Sequence, residues 1–100
     1  MVDEIIPEPV RFEWDEGNID KSFKKHGVTV EEAEDVFYSK PSVLLEDKEH
    51  SGLEKRCLVL GKSENGKFLS ITFTLRKGKV RIISSRPMSR KERRLYTEKS

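Results

Sequence analysis

The stretch FLSITFTLRKGKVRIISSR, residues 68–86, decides the fold. Leu69, Ile71, Phe73 and Leu75 alternate with Ser70, Thr72, Thr74 and Arg76, the period-two pattern of a strand with one apolar and one polar face. Lys77-Gly78 then places glycine where a tight reversal needs positive φ, and the β-rich run Lys79–Ser85 follows. Upstream, Lys55–Leu60 is a further strand, joined to Phe68–Arg76 through Asn65-Gly66, and Ser42–Glu46 is another. The last three runs read as an antiparallel meander. By strand parity Arg81 points with Ile83 and Ser85, opposite to Val80 and Ile82, so it leaves the helix-covered face and can join Thr74 and Arg76 across the hairpin.

Before Pro41 the period is close to 3.6. Asp15 is a good helix N-cap, and Trp14 with Ile19 has the spacing of a hydrophobic staple. Ile19 and Phe23 share a face, Lys24 and Lys25 favour the C-terminal end of the dipole, and Gly27 suits the left-handed position after a helix ending near His26. Thr29 with Glu32 is a capping box opening a second, short helix striped by Val30, Ala33, Val36 and Phe37. Past Pro87, Ser89 and Glu92 repeat the capping box and open a very basic helix, Arg90–Lys99, anchored by Leu95 and Tyr96. Residues 1–11, with Pro7 and Pro9, read as a flexible, extended lead. The expected architecture is α+β: two N-terminal helices packed on a small antiparallel β-sheet meander, with a basic C-terminal helix.

At 100 residues, 34% apolar and 38% charged, the chain reads as a single domain, 1–100, with a thin core. No apolar run spans a bilayer and the N-terminus lacks signal-peptide character, so a cytoplasmic location and no membrane contact are expected. Cys57, the single cysteine, lies on a strand whose pattern buries it, and is assigned no chemistry. The net charge of +2 hides an asymmetry. Residues 1–50 hold 6 Lys/Arg against 14 Asp/Glu, whereas residues 51–100 hold 14 against 4. A basic half of this kind suits a polyanionic partner; attraction between the two halves is the second reading.

The basic groups continue from Arg76, Arg81 and Arg86 into Arg90, Lys91, Arg93 and Arg94. Arginine forks grip phosphate bidentately, and Tyr96 or Phe68 could stack on an unpaired base, although charge alone fits a solvated helix better. His26 sits at a helix end, where the dipole favours its protonated form and suits it to acid–base work, or simply to capping. His50, in an acidic run, reads as a solvated loop residue with no spaced second ligand group, so no metal is expected. The glycines are spaced for turns and form no phosphate-binding loop, so no cofactor is expected.

Phe12-Glu13-Trp14-Asp15, Lys25-His26-Gly27-Val28, Glu32-Ala33 with Val36-Phe37, the run Arg81-Ile82-Ile83-Ser84-Ser85-Arg86, then Glu92 and Tyr96 carry a resemblance in order and spacing. Together they resemble the BrnT family of toxins. Departures fall at Ser22, where relatives carry asparagine, at Ser85, where alanine is usual, and at Met88, where a small residue is common. The resemblance implies a RelE-like fold and a type II toxin, a ribonuclease that cleaves RNA and inhibits translation. It further implies neutralisation by a BrnA-type antitoxin with a ribbon-helix-helix domain, a heterotetrameric complex, and contact with operator DNA only through that complex.

Metal-independent RNA cleavage needs a base for the 2′-hydroxyl, charge stabilisation at phosphorus and an acid for the leaving oxygen. His26 and Glu54 are the candidate acid–base groups, and Arg56, Arg76, Arg81 and Arg86 the charge stabilisers. Lys25, Arg90, Arg94 and Tyr96 are candidate RNA contacts. A catalytically inactive module that binds an antitoxin or nucleic acid is the alternative.

Overall fold

The computed structural model describes residues 10–14, 16–39, 42–47 and 55–99. It is a mixed α+β structure with eight elements in chain order: β1 (Phe12–Glu13), α1 (Glu16–His26), α2 (Val30–Tyr38), β2 (Val43–Asp47), β3 (Arg56–Lys62), β4 (Phe68–Arg76), β5 (Lys79–Pro87) and α3 (Arg90–Lys99). The expected Asp15 cap, the Ile19 side chain of the staple, Pro41, His50, Glu54 and the proline lead lie outside the described residues.

Local chemistry accounts for the helix boundaries. Gly27 takes φ 69°, and its N–H donates to the Phe23 carbonyl at 2.8 Å, closing α1. Thr29 Oγ1 accepts from the Glu32 amide at 3.1 Å while the Thr29 amide donates to Glu32 Oε1 at 2.9 Å, a complete capping box for α2. The same reciprocal pair opens α3, with the Ser89 amide donating to Glu92 Oε1 at 2.9 Å and the Glu92 amide donating to Ser89 Oγ at 3.1 Å. Phe23, expected on the apolar stripe of α1, is instead 56% exposed.

Five strands form one sheet in the order β1-β5-β4-β3-β2. Neighbours from β2 to β5 are antiparallel, as the meander pattern predicts for its last three runs, whereas β1 runs parallel to β5. Phe12 and Glu13, which the sequence did not mark as a strand, are therefore sheet, and just before them the Val80 amide donates to the Arg11 carbonyl at 2.7 Å. One sheet face is covered by α2, whose Ala33 and Val36 are fully buried with Val59, Ile71, Phe73 and Ile82. Gly61 permits this approach, since a Cβ there would meet Val36 Cγ1 at 2.8 Å.

The opposite face is not uniformly polar. Leu60 and Val43 are buried there with Tyr96 of α3, and Leu58, Phe68, Met88 and Leu95 pack around them. Towards the β4–β5 hairpin this face becomes polar, with Thr74, Arg76 and Arg81.

The register also corrects the simple parity of β5. Thr72 pairs with Ser84 but Phe73 pairs with Ile82, so Ile83 is an extra, bulged residue. Beyond it the alternation flips. Ser85 pairs with Ile71 on the helix-covered face and is fully buried, instead of pointing with Arg81. The flip also carries Arg86, five residues from Arg81, to the face that Arg81 occupies.

Candidate nucleic-acid interface

Directly paired residues on neighbouring strands share a face. Arg56 pairs with Thr74, and Thr74 pairs with Arg81, so three adjacent strands place a guanidinium, a hydroxyl and a second guanidinium in one row. At about 4.8 Å per strand the two arginine backbones stand roughly 10 Å apart. Arg76, two positions beyond Thr74, pairs with Lys79 and extends the same face towards the hairpin. Thr72 and Ser84, paired on the bulge's far side, add hydroxyls to it. Arg56, Arg76 and Arg81 are half-buried, and Thr74 between them is buried. The structure thus brings together three of the four arginines that sequence reasoning singled out, on the face away from α2.

Arg86 shares that face but is committed elsewhere. Its Nη1 and Nη2 donate to Glu92 Oε1 and Oε2 at 2.6 and 2.8 Å, and Ser70 Oγ donates to Glu92 Oε2 at 3.2 Å. Burial works against the Glu92 charge, yet the Arg86 fork, the Ser89 amide and the Ser70 hydroxyl hold its carboxyl down at about 2. Glu92 in turn raises the pKa of Arg86, against burial. This pair clamps the first turn of α3 to β5.

Tyr96 does not serve as a stacking platform. It is only 7% exposed and meets Phe68 edge-on with ring centroids 6.0 Å apart, while the Arg93 guanidinium lies 3.5 Å from the Phe68 ring centre. Both aromatic rings thus hold α3 to the sheet. Arg90 and Arg94 are exposed and, with Arg93 and Thr97, line a shallow groove on α3.

His26 and Lys25 belong to a different region. They end α1, and the next carbonyl, of Gly27, accepts from Lys67 Nζ at 3.3 Å in the β3–β4 turn. That turn lies at the opposite end of the sheet from Thr74, roughly 20 Å away along β4. His26 is therefore not assembled with the arginine row. The β3–β4 turn is tied to α2 instead: Glu32 accepts from Lys67 Nζ at 2.8 Å and Asn65 Nδ2 at 2.6 Å, and the Glu64 amide donates to Asp35 Oδ2 at 3.2 Å. The Lys67 contact above all, then the Thr29 amide, lowers the Glu32 pKa to about 2 against the cost of burial.

Two acidic positions escaped sequence reasoning. Asp47 pairs with Arg56 at one end of the row, and Glu13, through the parallel β1–β5 register, pairs with Arg81 at the other. A two-residue strand carries no periodicity by which it could be found. Among the described residues, no group of three or more His, Cys, Asp or Glu side chains is placed to hold a metal ion. No helix there is long and apolar enough to cross a membrane.

Comparison with protein families matches residues 14–92 to the family described as "Ribonuclease toxin, BrnT, of type II toxin-antitoxin system". No curated protein sequence matches significantly.

Proposed function

Since the chain belongs to the BrnT family of type II toxin-antitoxin ribonuclease toxins, we propose that it cleaves RNA without a metal ion, on the sheet face carrying Arg56, Thr74, Arg76 and Arg81. The observation that carries this reading is the row itself. Two guanidiniums roughly 10 Å apart, on either side of the buried Thr74, fit a bent phosphodiester, whose phosphorus gains negative charge as the 2′-oxygen attacks and the bond to the 5′-oxygen breaks. The products are a 2′,3′-cyclic phosphate and a 5′-hydroxyl. Removing one such preorganised charge typically costs a factor of about 10² to 10³ in rate.

The sheet with one face covered by α2 and the other carrying α3 supports a RelE-like architecture, in which substrate lies across the uncovered part of the sheet. Cleavage of messenger or ribosomal RNA would inhibit translation in the cytoplasm. The cognate partner is a BrnA-type ribbon-helix-helix antitoxin, which would neutralise the toxin in a heterotetramer and repress the operon as a complex. Arg90 and Arg94 would extend the RNA track along α3, and Lys25 would contact RNA only where a long strand wraps the sheet edge. Arg86 contributes by holding α3, and His26 lies away from the reacting phosphate.

The test is cleavage of an oligoribonucleotide by the purified chain in excess chelator, with analysis of product ends. Cyclic phosphate ends, lost in Arg81→Ala, support the reading. Intact RNA, with a folded chain that still binds it, would leave a binding module.

A further inference from the structure

We infer that Glu13 is the general base of the cleavage reaction, a role that rests on the ribonuclease function proposed above. The placement of β1 is the reason. Phe12 and Trp14 both turn to the helix-covered face, where Phe12 meets Phe37 edge-on with centroids 5.4 Å apart and Trp14 Nε1 donates to Glu34 Oε2 at 2.7 Å. A strand alternates, so Glu13 between them is delivered to the opposite face, beside Arg81 in the register. Two anchored aromatics around one carboxylate are a rigid mount, the condition under which a base stays within reach of its proton.

Several other described acids are engaged elsewhere. Glu92 is consumed by Arg86, Ser70 and Ser89, and its low pKa makes it a poor base. Glu32 sits at the β3–β4 turn, Glu34 holds Trp14, and Glu46 pairs with Lys55 at 3.3 Å. Asp47 occupies the far end of the row, next to Arg56, and is the direct competitor. In the step itself Glu13 takes the 2′-hydroxyl proton as the 2′-oxygen bonds to phosphorus, while Arg81 beside it in the register neutralises the phosphorane. The 5′-oxygen leaves with a proton from solvent.

The experiment compares wild type, Glu13→Gln, Glu13→Asp and Asp47→Asn in single-turnover cleavage of an oligoribonucleotide from pH 4 to 9. Binding of a 2′-O-methyl analogue, which cannot react, is measured alongside. Glu13→Gln is expected to cleave about 100-fold more slowly at neutral pH and to lose the acidic limb of the rate profile, with analogue affinity within about twofold of wild type. Glu13→Asp keeps the acidic limb at reduced rate, and tests the proposal even if the glutamine variant folds poorly. A Glu13→Gln rate equal to wild type, or an acidic limb abolished by Asp47→Asn and retained by Glu13→Gln, overturns the assignment while leaving the nuclease intact. A folded wild type that never cleaves overturns the nuclease reading and this inference with it.

Discussion

Arg86 and Glu92 meet fork to fork, Nη1 to Oε1 at 2.6 Å and Nη2 to Oε2 at 2.8 Å, and so join the end of β5 to the first turn of α3. With the Arg93–Phe68 stack and the Tyr96 edge contact, this pair is what seats a helix whose own sequence is mostly charge. A carboxylate this well partnered is worth more than an exposed ion pair, but the Arg86 side chain remains partly solvated, so the loss is discounted. Glu92→Gln is expected to cost about 1–2 kcal/mol, read as a lower urea midpoint with unchanged slope. An unchanged midpoint would show that aromatic packing alone seats α3.

Acid should weaken the fold through two carboxyls. Glu32 and Glu92 both move from an ordinary 4.5 to about 2 on folding. A folded value below the unfolded one means that the unfolded chain binds the proton first, so the contribution is complete above about pH 5 and is lost as pH falls from there towards 2. Urea midpoints at pH 6, 4 and 3 should fall steeply for wild type and less steeply for the Glu32→Gln/Glu92→Gln double variant. Parallel acid limbs in the two proteins would contradict this.

Gly61 lets β3 and α2 approach closely. Its absent Cβ leaves room for Val36 Cγ1, which a methyl would approach to 2.8 Å, with Ser39 Oγ at 3.1 Å. Val36 is fully buried and cannot swing away. Gly61→Ala is therefore expected to destabilise by about 1–3 kcal/mol, the usual cost of overpacking, and adding Val36→Ala should recover less than it costs, because a cavity replaces the clash. Full recovery in the double variant would mean that α2 shifts freely over the sheet.

The elements that were legible are those whose signal is local. The alternation in Phe68–Arg76, the turn glycines and the Thr29/Glu32 and Ser89/Glu92 boxes each depend on residues a few positions apart, and each appears where its chemistry requires. What escaped was non-local. The β1–β5 pair joins Phe12 to Val80, and nothing in a two-residue segment advertises a parallel partner. The Ile83 bulge is invisible in an unbroken β-branched run, yet it decides that Ser85 is buried and that Arg86 shares a face with Arg81. Tyr96 was ambiguous between anchor and stacking ring, because helix periodicity places it without saying what lies opposite. For the candidate site, the arginine composition was readable, while its division into a row and a clamp depended on the register.

That division gives the sharpest functional contrast. Arg81 and Arg86 lie on one face of one strand, but Arg81 flanks Thr74 in the row and Arg86 is bound to Glu92. Arg81→Ala should lower RNA cleavage by about 10²-fold or more under conditions where it stays folded. Loss of one phosphate contact should also make the dependence of log K on log salt shallower, by about 0.7 for a single strand. Arg86→Ala should do the reverse, costing stability by an amount comparable to Glu92→Gln while retaining the salt slope of wild type under conditions where it stays folded. Arg56→Ala, across the row from Arg81, should behave as Arg81→Ala does. Equal salt slopes for Arg56→Ala, Arg81→Ala and wild type would place the RNA somewhere other than this face, with the α3 groove beside Arg90 and Arg94 as the next surface to mutate.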